Sequence, residues 1–209
     1  ILHQTLKPSE VVIVEDGPLT PELYQVLEKL AAQSSIPIKR CPLEQNRGLG
    51  LALQYGVLQC QYDIIARMDT DDIAVEDRFE QQFDLMEKEN LDLLGGHIAE
   101  FIDQPDEIVS YRRVPTKHEE IIAYQRMRSA FNHMTVMFKK EMVLKAGNYE
   151  DGLYMEDDLL WLNMISAGAR TGNVDQILCK VRVGAGMFER RGGLRYLKLY
   201  RQARQRMHA

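Results

Sequence analysis

The 209-residue sequence is poor in cysteine. Cys41, Cys60 and Cys179 are odd in number, far apart and free of any CxxC or Cys/His ligand spacing, which argues against a disulfide framework or a zinc site. Reduced thiols in the cytosol are the simplest reading. No apolar run approaches the roughly 18 residues that span a bilayer, and the first residues lack a basic-then-apolar signal pattern. A soluble or peripheral protein is therefore expected. Positive charge is in deficit as well: 26 Lys and Arg against 31 Asp and Glu leave a net charge of -5, the wrong sign for a chain whose main partner is nucleic acid. Apolar residues are not scarce. At 45% hydrophobic and 27% charged, the chain suits one fair-sized globular domain, with room for a small subdomain.

Short apolar runs alternate with amphipathic segments. "EVVIV" (10–14) reads as a strand. "TPELYQVLEKLAA" reads as a helix, with Thr20 as N-cap, Pro21 at the first helical position, and Leu23, Val26, Leu27, Leu30 and Ala31 on one face. "IPIKRC" (36–41) and "YDIIARMD" (62–69) read as strands and "LGLALQYGVLQC" (49–60) as a helix. "DRFEQQFDLMEKE" (77–89) places Phe79, Phe83 and Met86 at helical spacing, and "LDLLGGHIAEF" (91–101) reads extended. This βαβα alternation predicts an α/β fold, a mainly parallel sheet covered by helices, with ligands beyond the carboxyl ends of the strands.

"IIARMDTDDIA" (64–74) ends an apolar run in three carboxylates, Asp69, Asp71 and Asp72. Two like charges about 6 Å apart cost roughly 3 kcal/mol at an effective dielectric of 20, so a cation or good solvation must offset them. In an extended stretch Asp69 and Asp71 project to one side, forming a hard oxygen site suited to Mg²⁺ or Mn²⁺. The competing reading makes Asp71 and Asp72 caps of the next helix. Asp16, after "VVIVE", ends another strand, and an Asx turn before Gly17 and Pro18 would account for it equally well.

Four blocks in order, "QTLKPSEVVIVEDGP", "NRGLGLALQYGV", "ARMDTDDIAVEDRFEQQ" and "NHMTVMFKKEMVLKAGNYEDGLYMEDDLLWLNMISAG", resemble family 2 glycosyltransferases, nucleotide-sugar enzymes of the GT-A fold, particularly those of bacterial surface-polysaccharide synthesis. The resemblance implies a Rossmann-like sheet and a metal-dependent inverting transferase of hexosyltransferase type, moving a sugar from a nucleotide-diphosphate donor, expected to be a UDP-sugar, to a saccharide or lipid-linked acceptor. By resemblance Asp16, with Glu15 beside it, matches the position that contacts the donor's uracil, and Arg47 and Gly48 match the Asn-x-Gly loop beside the nucleotide. Asp69 and Asp71 match the D-x-D, Asp71 as metal ligand and Asp69 nearer the ribose or the metal shell, with Asp72 in second rank. Asp157 matches the general base, Glu156 its acidic neighbour, and His133 a position near the acceptor. Read without the resemblance, Glu156, Asp157 and Asp158 are simple partners of a helix dipole, and His133 is a structural histidine.

Other residues carry two readings. Arg190 and Arg191 in "FERRGG" either close over the diphosphate, flanked by Gly192 and Gly193, or form a solvated basic turn. Trp161, on an apolar helix face with Leu160 and Met164, is expected in the core. The segment 194–209 is a basic amphipathic helix that either packs on the catalytic domain or lies on an anionic membrane. The expected division is 1–100 for nucleotide-sugar binding, ending in the D-x-D region, and 101–193 for the acceptor and catalysis, followed by that helix. The opening "ILHQTLKP" resembles only the tail of the family's first helix, so the family's first strand is expected to be missing, and with it part of the base pocket. The chain is then either the remainder of a longer protein or an impaired remnant. The rivals from other classes are a non-catalytic nucleotide- or saccharide-binding module with a degenerate GT-A fold, and a receiver-like phosphoryl-transfer domain. The expected location is cytoplasmic, peripheral at the inner face of the cell membrane.

Overall fold

The computed structural model describes residues 1–150 and 155–184, with the single positions 197, 200, 201 and 205. Arg190, Arg191, Gly192, Gly193 and nearly all of the expected C-terminal helix lie outside the described residues. Helical backbone is described at 197, 200, 201 and 205, and the Tyr200 hydroxyl donates to the Met127 carbonyl at 2.8 Å. Among the described residues no helix is long and apolar enough to cross a membrane.

The first half follows the predicted alternation: β1 (Val11–Glu15), α1 (Pro21–Gln33), β2 (Ile38–Pro42), α2 (Leu49–Gln59), β3 (Ile64–Ala66), the two-residue β4 (Ile73–Ala74), α3 (Arg78–Glu89) and β5 (Leu93–Phe101). Then come β6 (Ile108–Arg112), α4 (His118–Gln125), a 3-10 turn at His133–Thr135, β7 (Met137–Lys139), α5 (Lys140–Lys145), α6 (Glu156–Ser166) and β8 (Thr171–Arg182). Local chemistry sets several boundaries. Thr20 caps α1 by accepting from the Leu23 amide, with Pro21 in the first turn. Asn90 ends α3 in the left-handed conformation.

The sheet is mixed, a correction to the mainly parallel expectation. β1 and β2 pair in parallel as a two-stranded sheet of their own, with no strand before Val11 among the described residues. The six-stranded sheet runs β3-β7-β5-β8-β4, with β6 also on β5. Within it only β5–β8 is parallel, and the β3–β7, β5–β7, β5–β6 and β4–β8 pairs are antiparallel. Helix–strand alternation predicts parallel neighbours only where each crossover returns the chain in the same direction. Here β6 and β7 reach β5 through connections that reverse it.

The core forms on both faces of β5. Trp161 gathers Phe131, Phe138, Tyr149, Leu160 and Met164 on one side, and Met86, Leu94 and Leu178 cluster on the other. Trp161 is thus a core residue, fully buried. Phe79 and Met86 of α3 are buried as their spacing predicts, but Arg78 and Gln82 are buried with them while Phe83 is exposed. No residue of α1 is fully buried; Leu23 and Val26 are exposed while Leu27 and Leu30 are half-buried, so the predicted apolar face is only partly covered among the described residues.

Glu15 closes β1 against β2. Its carboxylate, 2% exposed, accepts from Arg40 Nε at 2.7 Å and Nη2 at 2.9 Å, a bidentate pair. The hydrogen bond from Arg40 holds the Glu15 carboxyl below its ordinary 4.5, with burial opposing it. Because the folded value is depressed, the stabilisation is complete above the unfolded value and disappears as pH falls through the folded one. Glu15→Gln is accordingly expected to lower the melting temperature at pH 7, with the gap to the wild type narrowing as pH falls below the ordinary carboxylate value. Paired thermal melts from about pH 3 to 7 check this, and a gap that widens as pH falls would contradict it.

Candidate active site

Asp16 follows β1 directly, and its side chain reaches across 31 residues. Oδ1 accepts from the Arg47 amide at 2.7 Å and Oδ2 from the Gly48 amide at 3.0 Å, while Asn46 Nδ2 donates to the Asp16 carbonyl. This replaces the predicted Asx turn, for a concrete reason: the amide two residues on belongs to Pro18, which has no N–H. Gly48, at φ +87, is the N-cap of α2, a backbone state that favours glycine. Two residues later Gly50 lies so close to the start of α6 that an added Cβ would sit 2.4 Å from the Glu150 carbonyl and 3.4 Å from Glu156 Cβ. The Asp16–Arg47–Gly48 loop is thereby joined to the acidic end of α6.

The three aspartates after β3 are handled in three ways. Arg67, only 8% exposed, donates from Nη1 to Asp69 Oδ2 at 2.5 Å. Asp72 Oδ1 accepts from the Arg182 amide at 3.1 Å, and burial pushes its carboxyl up to about 6 against that bond. Asp71 is exposed, without a hydrogen-bond or ion-pair partner among the described residues. The helix-cap alternative is overturned, since α3 begins at Arg78 with Asp77 before it. Thr70 and Asp71 form a turn, so the extended geometry expected for Asp69–Asp71 is also corrected: β3 stops at Ala66, where its pairing with β7 ends.

The sequence pattern leaves Arg67 unassigned, although the three carboxylates demand a positive charge beside them. An arginine inside an apolar run, two residues before an aspartate in strand-like sequence, falls on the same side as that aspartate. Arg78 is left unassigned too. Fully buried, it donates to the Arg67 carbonyl at 2.8 Å and to Gln82 Oε1 at 2.9 Å, tying the segment before the acidic turn to α3.

The acidic start of α6 faces this turn. Glu156, Asp157 and Asp158 occupy its first turn, and Asp158 is buried. His133 Nδ1 lies 3.9 Å from Asp157 Oδ2, while its Nε2 is 3.0 Å from the Tyr149 hydroxyl. The His133 ring rests edge-on against Trp161 at 5.8 Å. Burial, aided by Arg67, holds the His133 imidazole well below its ordinary value, so the ring is neutral at pH 7. Burial likewise raises the Tyr149 phenol, with Asp157, Glu156 and Asp69 adding to the effect and Arg67 opposing it. The Glu156 carboxyl is raised by burial and then by Asp157 and Asp69, with a backbone hydrogen bond and Arg67 pulling it down. Asp69, Arg67, Glu156 and Asp157 therefore all act on one buried hydroxyl, and the two acidic stretches lie on the same side of the molecule.

Among the described residues no group of three or more His, Cys, Asp or Glu is gathered to hold a metal. Mg²⁺ and Mn²⁺ commonly use one or two carboxylates, with water and substrate phosphates completing the shell. The hard oxygens of exposed Asp71 and one-third-exposed Asp69 fit that demand.

Comparison with known proteins agrees with this architecture. Residues 1–151 match the family described as glycosyl transferase family 2. The chain is 41% identical over 199 residues to the amylovoran biosynthesis glycosyltransferase AmsE of Erwinia amylovora, covering 94% of this chain and 73% of that protein. It is 36% identical over 197 residues to the UDP-Gal:alpha-D-GlcNAc-diphosphoundecaprenol beta-1,3-galactosyltransferase of Escherichia coli, covering 94% and 70%. Among solved structures, S. aureus TarS 1–349 in complex with UDP-GlcNAc superposes with a TM-score of 0.72 at 17% identity, over 97% of this chain and 59% of that one. The mannosyltransferase PcManGT from Pyrobaculum calidifontis, in complex with GDP-Man and Mn²⁺, gives 0.65 at 14% identity, over 88% and 51%. The chain spans less than two thirds of either solved chain. With an α/β fold of the GT-A type, the chain belongs to glycosyl transferase family 2 and is a glycosyltransferase.

Proposed function

We propose that the chain moves a sugar, with inversion at the anomeric carbon, from a UDP-sugar to a hydroxyl of a saccharide or lipid-linked acceptor in surface-polysaccharide synthesis at the cytoplasmic face of the membrane. The observation that carries this reading is the placement of Asp157 3.9 Å from His133, which contacts the buried Tyr149 hydroxyl at 3.0 Å, a hydroxyl whose phenol is raised by burial, with Asp157 and Asp69 of the acidic turn both adding to the effect. The printed names of the amylovoran and diphosphoundecaprenol relatives support the pathway class and a lipid-linked acceptor. The UDP-GlcNAc and Mn²⁺ complexes of the structural neighbours support a nucleotide-sugar donor and a divalent ion.

In this reading the residues up to about 100 serve the donor and those beyond it serve the acceptor. Asp16 fixes the 46–48 loop, so that the Arg47 side chain and the Gly48 backbone can approach the nucleotide. Asp71, with Asp69, would hold Mn²⁺ or Mg²⁺, which when bound neutralises the charge developing on the departing diphosphate. Asp157 accepts the proton of the attacking hydroxyl. A carboxylate is far less basic than an alkoxide, so proton transfer accompanies attack rather than preceding it. His133 is held neutral by burial, and the tautomer that accepts from the Tyr149 hydroxyl at Nε2 carries its proton on Nδ1, the nitrogen facing Asp157. Arg190 and Arg191 are retained as candidate diphosphate contacts on the resemblance alone.

The test is incubation with Mn²⁺, a panel of UDP- and GDP-sugars and a polyprenyl-diphosphate-linked saccharide, with product read by mass spectrometry. A UDP-sugar is expected to react, and Asp71→Asn is expected to abolish stimulation by Mn²⁺ while the far-UV spectrum stays unchanged. Tight donor binding without turnover of donor or acceptor would overturn the enzymatic reading of this site.

A further inference from the structure

The Arg67–Asp69 pair sits where the proposed cation would need a carboxylate. Arg67 is almost wholly buried, and its guanidinium holds Asp69 Oδ2 at 2.5 Å. Its Nε is buried without a hydrogen-bond partner among the described residues, so the group retains donor capacity that Asp69 does not use. Its charge is felt at Asp72, His133, Tyr149 and Glu156, which places it in the middle of the site rather than at its rim. Arg67 occupies Asp69 Oδ2 and the Arg182 amide occupies Asp72 Oδ1, so of the three carboxylates Asp71 alone has neither oxygen engaged among the described residues. A buried guanidinium bonded to one of the two proposed ligands occupies a carboxylate oxygen and repels a doubly charged ion, which weakens the donor-free site. A nucleoside diphosphate changes that balance by adding negative oxygens that both the ion and the guanidinium can share.

We propose that Arg67 is a positioning residue that makes divalent-cation binding conditional on the nucleotide. In the donor-free protein its guanidinium occupies Asp69, and the ion enters together with the diphosphate rather than before it. This rests on the reading that Asp71 and Asp69 take the cation, and it adds an order of binding set by one side chain.

The experiment is titration of the donor-free protein with Mn²⁺, following the free-ion signal by electron paramagnetic resonance. Wild type is expected to bind weakly. Arg67→Gln, which frees Asp69, is expected to bind Mn²⁺ more tightly by about 5- to 150-fold, the usual range of coupling between sites. Arg67→Lys, which keeps the charge, is expected to restore weak binding. A merely structural role for Arg67 predicts a loss of affinity, not a gain. If Arg67→Gln does not fold, the same coupling is read in the wild type: Mn²⁺ affinity is expected to rise when UDP is present, and donor-free Mn²⁺ binding as tight as that with UDP would overturn the proposal. Equilibrium dialysis of labelled UDP with wild type, with and without Mn²⁺, tests the underlying reading separately. UDP binding that ignores Mn²⁺ overturns both. Mn²⁺-dependent UDP binding together with unchanged ion affinity in a folded Arg67→Gln overturns the role of Arg67 alone.

Discussion

Asp157→Asn is expected to lower kcat by about 10²- to 10⁴-fold, the usual worth of a general base, which is a barrier increase of roughly 3–5 kcal/mol. The donor Kd should be nearly unchanged. An amide has the shape of the carboxylate but accepts no proton at neutral pH, and the donor contacts proposed above lie on the 46–48 loop and the 69–71 turn. Asp157 is in the first turn of α6, and the nearby His133 imidazole is neutral and buried, so the substitution does not strand a protonated His133. Single-turnover kinetics with saturating donor, alongside donor binding by calorimetry, separate the two quantities. Normal turnover in Asp157→Asn would assign the base to another residue.

Trp161→Ala carries the largest expected effect on stability. The indole is fully buried, and its ring centroid lies 5.7 Å from Phe131, 5.8 Å from His133, 6.3 Å from Tyr149 and 6.4 Å from Phe138. Truncating such a side chain leaves a cavity and typically costs about 3–5 kcal/mol. For a chain of this size each kcal/mol moves the melting temperature by about 2–4 °C, so a drop on the order of 6–20 °C is expected by calorimetry. Trp161→Phe should recover part of it. The indole Nε1 is buried without a hydrogen-bond partner among the described residues, so the phenyl ring forfeits volume but no bond. The same wall supports His133 and Tyr149, and the alanine variant should therefore lose activity below its unfolding temperature as well. A shift under about 2 °C would mean that the surrounding rings close the space, contrary to the close packing that rigid cores maintain.

Legibility varied by element. The boundaries of α1 and α3 and the burial of Phe79, Met86 and Trp161 followed from spacing and cap chemistry. The position of the acidic residues beyond strand ends followed from the alternation of elements. Strand directions did not. β8, the long parallel partner of β5, and β6, antiparallel to it, carry no local mark of which neighbour they join, because pairing is decided by contacts between segments far apart in the chain. Asp16 shows the same limit at one residue. Its position after β1 could be read from sequence, but its grip on the 47–48 amides could not.

By itself the sequence determined the family, the alternation of helix and strand, and the clustering of carboxylates at 69–72 and 156–158, since each is written in the spacing and type of neighbouring residues. Only the tertiary structure decided that these two clusters share one field around Tyr149, that the sheet is mixed, and that the positive charge demanded by the acidic turn is Arg67 held against Asp69. The reason is physical. Periodicity fixes which side of its own element a residue occupies, whereas its burial, partner and ionisation depend on what the rest of the chain brings against that side.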